Sequence, residues 1–147
     1  MNEKKKKSFL IEGPITPEMV AESIAKHSHK KNIGAHQIFM GQVRADVIDE
    51  KTVQAITYSA YEEMAENMIE KIREESIVKY NLTCAHVLHS LGKINAGEIC
   101  FFVFVSSPHR RAAMDGCTHM VERIKEEVPL FGKEIFDDAT HQWKENK

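Results

Sequence analysis

The chain has 147 residues, 42% of them hydrophobic and 29% charged, which fits one compact domain spanning 1–147 that buries about two-thirds of its unfolded surface. A formal net charge of -2 and a pI near 6.4 exclude a uniformly basic, nucleic-acid-coating surface, so any anion site must be a local pocket. The three cysteines, Cys84, Cys100 and Cys117, form no CxxC pair and sit among apolar residues, as small buried hydrophobes do in a reducing compartment, which points to the cytoplasm.

In chain order, the run Lys4–Lys7 leads only into Ser8-Phe9-Leu10-Ile11-Glu12, too short an apolar stretch for a signal peptide or membrane span. Residues 1–8 are expected to be a solvated tail, and neither a membrane nor a nucleic acid is expected as a partner. Thr16-Pro17-Glu18 has the form of a helix start, with Thr16 as N-cap, and the helix should run to about His27. Ala35 to Arg44 reads as a strand, with Gly41 marking a bulge or a close backbone approach and Arg44 at the strand end. Ala45 to Glu50 should be a loop and Thr52 to Tyr61 a strand.

From Tyr61 the apolar period lengthens. Tyr61, Met64, Ala65, Met68, Ile69 and Ile72 form the stripe of an amphipathic helix that should cover a sheet. Leu82 to Leu91 and Glu98 to Val105 give two more strands, joined by the hairpin-like segment Gly92–Gly97. Phe101-Phe102-Val103-Phe104-Val105 is the most hydrophobic run and the expected central strand. Ser107 can cap, and Pro108 can start, a helix with Ala113, Cys117, Met120, Val121 and Ile124 on one face, which Pro129 should stop near Lys125–Val128. Glu134-Ile135-Phe136 reads as a short strand before a polar tail. The order is that of an α+β chain with hairpins.

Chemistry concentrates at Ser106-Ser107-Pro108-His109-Arg110-Arg111. Basic residues at a helix N-terminus oppose the dipole, a cost that an anion such as phosphate would offset by meeting N–H groups and guanidinium together; the other reading is that His109 and Arg110 are ordinary exposed polar residues. Lys125, in the last turn of the same helix, and Lys133 could face one cleft. Set near Arg44 and Arg110, a lysine there would become available as base or nucleophile; the alternative is solvated surface lysines. His86 and His89 are three apart in a strand and point to opposite faces, and His27 and His29 are two apart near a helix end, so no metal site is expected. Cys117 falls on an apolar helix face, which leaves no evident Ser or Cys nucleophile with a matched base.

Gly41-Gln42-Val43-Arg44, Tyr58-Ser59-Ala60-Tyr61-Glu62-Glu63-Met64-Ala65, His89-Ser90-Leu91-Gly92, Val105-Ser106-Ser107-Pro108-His109-Arg110, Glu122-Arg123-Ile124-Lys125 with Pro129, and Lys133-Glu134 occur in that order. Together they resemble the molybdopterin synthase large (catalytic) subunit family, over roughly Gly34 to Trp143. The resemblance implies a hammerhead-type α+β fold, a mixed and mostly antiparallel sheet with two main helices packed on it. It implies a sulfurtransferase that converts cyclic pyranopterin monophosphate to molybdopterin in molybdenum cofactor biosynthesis. The sulfur would come from the C-terminal Gly-Gly thiocarboxylate of a ubiquitin-like small subunit, and a homodimer of large subunits would form the centre of a heterotetramer. No cofactor and no metal is implied.

By the same resemblance Lys125 is the principal catalytic lysine and Lys133 the second. Gln42, Val43, Arg44, His109, Arg110, Lys125, Lys133, Glu134 and Ile135 would contact substrate, with Arg44, His109 and Arg110 on its cyclic phosphate. One departure stands out. The family commonly sets its second lysine directly after an aromatic residue, whereas Pro129-Leu130-Phe131-Gly132-Lys133 inserts Gly132, so Lys133 would have to reach the site through a glycine bulge. Two other functions remain open on the residues alone: a binder of phosphorylated small molecules without sulfur transfer, and a non-catalytic module that dimerises through its sheet edge or an apolar surface.

Overall fold

The computed structural model describes residues 8–145, so the expected N-terminal tail lies, except for Ser8, outside the described residues. Along the chain run β1 (Leu10–Glu12), α1 (Pro17–Ala25), β2 (Ala35–Gln42), β3 (Val47–Ile48), β4 (Lys51–Ala60), α2 (Glu62–Tyr80), β5 (Cys84–Asn95), β6 (Ile99–Ser107), α3 (Arg110–Glu127), β7 (Leu130–Phe136) and β8 (His141–Trp143). The strands join in the order β2-β6-β5-β4-β7-β8, antiparallel throughout, while β1 runs parallel to β5 and β3 pairs with β4. This is the expected α+β class. The two long helices, α2 and α3, lie against each other, with α3 on β2 and β6 and α2 on β5.

β6 is the central strand that its hydrophobicity predicts, paired along both edges and buried from Cys100 to Ser107. Alternation sends Phe101, Val103 and Val105 into the main core with Ile69, Ile72, Met120 and Ile124 of the two helices. Phe102 and Phe104 point the other way, into a smaller core closed by Ile15 and by Met19 and Val20 of α1. α1 begins as expected: Thr16 Oγ1 accepts the Met19 N–H at 3.2 Å and Pro17 takes the first turn. α3 also stops where expected, with Val128 as an extended C-cap before Pro129. Arg123 on α3 donates to Glu75 on α2 and to Glu127, each at 2.6 Å, which clamps the helix pair.

Several boundaries differ from expectation, each for a local reason. The segment Gly92–Gly97 is not a hairpin loop. β5 continues through it to Asn95, and the turn is closed by the Glu98 N–H donating to the Asn95 carbonyl at 3.0 Å. Gly92 adopts φ +85, a backbone state open to glycine, so the strand bends there instead of ending; it pairs with β6 through His89 and with β4 from Gly92 onward. α3 begins at Arg110, because Ser107 and Pro108 complete the strand end and turn, and the Ser107 hydroxyl donates to the His109 carbonyl instead of accepting a helix N–H.

Tyr61 is the N-cap of α2, and Tyr61 and Met64 are 65% and 55% exposed, so the buried stripe begins only at Ala65. The first turn of α2 stands at the start of β7, where Tyr61 meets Phe131 edge-on at 5.3 Å. The expected loop at 45–50 holds the small hairpin β3–β4, turned by Asp49 and Glu50 with φ of 50 and 66. β7 starts at Leu130, ahead of the predicted Glu134, and the C-terminal segment supplies β8 as its edge partner. All three cysteines are buried and free. Among the described residues no helix is long and apolar enough to cross a membrane.

Candidate active site

A cleft of about 1000 Å3 opens where β5 passes from β6 to β4. One wall is formed by Gly41, Gln42 and Arg44, at and just beyond the end of β2, with Cys100 and Phe101 of β6. The other is formed by Ile56 and Tyr58 of β4 with Gly132 and Glu134 of β7. His89 of β5 lies between them, Ile124 and Lys125 come from the last turn of α3, and Trp143 and Lys144 close the β8 side.

The sequence explains these placements locally. At Gly41 both expected features are present: the β2–β6 register shifts between Gly41 and Gln42, and a Cβ on Gly41 would stand 3.2 Å from the Phe101 Cβ. The chain then leaves the sheet, and Arg44 reaches the cleft mouth, largely exposed and 3.4 Å from the Asp46 carboxylate. Lys125 sits where a cation suits the helix dipole, its Nζ 5.6 Å from the centre of the Phe101 ring.

Burial pushes the His89 imidazole down to about 4, the Ser90 carbonyl opposes that, and the nearby Lys125 charge adds to it. The ring is therefore neutral at neutral pH. Its Nδ1–H donates to the Ser90 carbonyl at 2.8 Å, which leaves Nε2 as an acceptor. Tyr58 packs edge-on against it at 5.1 Å and donates its hydroxyl to Cys100 Sγ at 3.4 Å, while the Cys100 thiol donates to the Gly41 carbonyl at 3.4 Å. Burial first, then Cys100 and Glu134, holds the Tyr58 phenol far above its ordinary range, so it stays protonated. Glu134, 5% exposed, accepts from Gln142 Nε2 at 3.2 Å.

Of the residues singled out from sequence, Gln42, Arg44, Lys125 and Glu134 line this one cleft. Val43 does not: it is 2% exposed in the main core, its N–H donates to Glu98 at 3.0 Å and its carbonyl accepts from Gly97 at 2.8 Å. Lys133 and Ile135 do not line the cleft: on β7 they alternate with Gly132 and Glu134, which do, and Lys133 Nζ stands 5.9 Å from the Trp143 ring centre. The expected bulge at Gly132 is absent. Gly132 pairs in register with Tyr58, the irregularity falling at Val53/Ala55, and a Cβ on Gly132 would come within 3.0 Å of Ile56 Cγ2 and 3.3 Å of Tyr58 Cε1. The glycine makes room for the Tyr58 ring.

His109 and Arg110 are exposed at the other end of α3; Lys125 lies 15 residues after Arg110, or about 22 Å along the helix. The cation cluster expected around the lysines is thus not assembled within one chain. Sequence reasoning missed Tyr58, His89 and Cys100 as cleft walls, and Lys144 as the second lysine lining the cleft. His89 and Tyr58 stand in the motifs quoted above, whereas Lys144 follows a strand too short to leave a pattern. The arrangement combines one lysine over an apolar wall, a neutral imidazole acceptor, a protonated phenol and an arginine at the mouth. Such a site suits proton transfer on a bound ligand.

The family model described as MoaE protein matches residues 12–127, which takes in Arg44, His109, Arg110 and Lys125 but not Lys133. A protein of Bacillus subtilis (strain 168) named Molybdopterin synthase catalytic subunit is 38% identical over 122 residues, 83% of this chain and 76% of that protein. The crystal structure of Molybdopterin Synthase from Staphylococcus aureus superposes with a TM-score of 0.83 at 29% identity, covering 98% of this chain and 100% of that one. A chain from the protein-protein complex of subunit 1 and 2 of Molybdopterin-converting factor from Helicobacter pylori 26695 shares the fold, with a TM-score of 0.79 at 20% identity over 94% of this chain and 90% of that one. The match extends further toward the N-terminus than the ordered motifs do, and it bears out the membership they suggested: this chain belongs to the MoaE protein family.

Proposed function

We propose that this chain is the catalytic subunit of a molybdopterin synthase and works as a cytoplasmic sulfurtransferase, installing the dithiolene sulfurs of molybdopterin in cyclic pyranopterin monophosphate. Sulfur comes from the C-terminal thiocarboxylate of a ubiquitin-like small subunit. The names of the relatives support the enzyme. The observation that carries the chemistry is the convergence of Lys125 and Arg44 on one cleft of about 1000 Å3, roomy enough for a pterin and a peptide end.

In each transfer a carbon–sulfur bond forms at a pterin side-chain carbon as a carbon–oxygen bond at that carbon breaks and its oxygen leaves protonated; water hydrolyses the acyl–sulfur bond of the thiocarboxylate, and the small subunit leaves as a carboxylate. Lys125 serves as acid and base at the pterin carbon. The departing carboxylate is steadied by a second lysine; in a single chain Lys144 lines the cleft and Lys133 does not. His109 and Arg110 are about 22 Å of helix away from Lys125, so their grip on the cyclic phosphate is supplied by the second copy of a dimer. Tyr61, Met64 and Phe131 form an exposed apolar patch, and Phe131 also lines the cleft, so a small subunit seated there has its C-terminal tail at the cleft mouth.

The test is reconstitution: purified protein, thiocarboxylated small subunit and cyclic pyranopterin monophosphate, with molybdopterin measured. Product is expected. No product with both partners verified active, together with retained pterin phosphate binding, would replace this reading with that of a phosphorylated-ligand binder.

A further inference from the structure

The face of β5 turned away from the cleft carries a second group of reactive side chains. Cys84 and His86 are two residues apart on β5 and therefore project from the same face. His27, just past the end of α1, meets them there: its Nε2 is 2.9 Å from His86 Nε2, and the ligand atoms of His27, Cys84 and His86 all lie within 4.8 Å of one another. His27 and Cys84 are 6% and 7% exposed. Among the described residues this is the one group of three such side chains close enough to share an ion.

We infer that His27, Cys84 and His86 form a binding site for a zinc-class divalent ion, which ties the end of α1 to β5. The donor set is one sulfur and two imidazole nitrogens with no carboxylate, which suits zinc and its cobalt surrogate and disfavours magnesium or calcium. His27 is already oriented as a ligand. Its Nδ1 lies 2.6 Å from the Ser23 carbonyl, which can only accept, so Nδ1 holds the proton and Nε2 presents a lone pair. The contact between the two Nε2 atoms then holds a single proton, donated by His86.

On metal binding that proton moves to His86 Nδ1, the Cys84 thiol proton goes to solvent, and three metal–ligand bonds form. Two nitrogens on a tetrahedral zinc stand about 3.3 Å apart, so the pair need open by only a few tenths of an ångström. Lys30 Nζ, 2.8 Å from Cys84 Sγ, remains as a donor to the coordinated sulfur. His36 does not complete the set, because its Nδ1 is held by Ser106 Oγ at 2.7 Å and its ring centre is 6.2 Å from that of His27; water takes the fourth position.

The test is cobalt titration of the full-length, reduced, tag-free protein. One equivalent should bind with tetrahedral d–d bands and a thiolate-to-cobalt charge-transfer band. Cys84→Ser should lose the charge-transfer band, Cys100→Ser and Cys117→Ser should keep it, and His86→Gln should weaken binding at least about 100-fold. Lys30→Ala should weaken it by about 10-fold. Saturating zinc should raise the Tm of the wild type by roughly 5 °C and leave His86→Gln unmoved, a readout that survives even if Cys84→Ser fails to fold. A charge-transfer band that persists in folded Cys84→Ser, or a wild-type Tm indifferent to zinc with no cobalt spectrum, would overturn the site.

Discussion

Lys125 and Phe101 form a cation–aromatic pair on the cleft wall, Nζ 5.6 Å from the ring centre. The pair keeps a basic side chain over an apolar surface at the place assigned to the chemistry. Lys125→Ala should therefore lower molybdopterin formation by about 100-fold or more while the small subunit still binds. Lys125→Arg retains a cation but not one that gives up its proton, so it should rescue substrate binding and not turnover. Normal turnover in Lys125→Ala would remove the lysine from the mechanism.

The two remaining lysines near the site can be told apart by side of strand. If the face of β7 decides, Lys144→Ala should reduce kcat more than Lys133→Ala, because Lys144 lines the cleft and Lys133 lies against Trp143. A larger loss in Lys133→Ala would mean that the lysine reaches a site built with the second copy. Single-turnover kinetics with the thiocarboxylated partner would separate the two outcomes.

The separation of Arg110 from Lys125 along α3 makes a complementation experiment decisive. Arg110→Ala and Lys125→Ala should each be weak alone. Mixed in equal amounts and allowed to exchange subunits, half the dimers are hybrids with one of two sites intact, so activity should recover to about a quarter of wild type. Mixing without recovery, once exchange is verified by native mass spectrometry, would place both groups in the same chain's site.

Stability should depend on pH through His89. Its pKa falls from 6.5 unfolded to about 4 folded, so between these values the unfolded chain binds more protons. This contribution is flat above about pH 6.5 and is lost as pH falls toward 4, for a total of about 3 kcal/mol. Urea unfolding from pH 7 to pH 4 should show that slope in the wild type and a shallower one in His89→Gln. Parallel slopes would mean that other groups carry the acid limb.

Gly132→Ala should destabilise the protein by about 1–2 kcal/mol. The added Cβ would come within 3.0 Å of Ile56 Cγ2 and crowd the Tyr58 ring, so KM for the pterin should rise as well. Unchanged stability would show that Ile56 and Tyr58 yield freely.

The parts of this fold that were legible in the sequence are those with a long, uninterrupted period. The stripe Ala113, Cys117, Met120, Val121 and Ile124 is buried as read, and β6 is central because nothing polar interrupts it until Ser106. Strands of three residues, β1 and β8, are shorter than any period can reveal. Gly92 misled because a glycine with positive φ marks a turn in most sequences, and here it bends a strand that continues.

The candidate site divides in the same way. Arg44 and Lys125 came from motifs and share the cleft. The side taken by Lys133 rested on strand parity, which a shift of one residue inverts and which only the register with β4 fixes. The His27–His86 contact joins residues 59 apart, and no local spacing announces it; the sequence set His86 beside His89, on opposite faces of one strand, and so gave no sign of a shared ligand group.

The bend at Gly92 has a mechanical consequence. β6 and β2 hang from β5 before it, β4 and β7 hang from β5 after it, and these pairs are the two jaws of the cleft. One residue's backbone is thus the pivot that sets their gape. A side chain placed at Gly92 would be strained at φ +85 and would meet Glu12 Oε2 at 3.0 Å, so the change would alter the width of the mouth without touching any residue inside it.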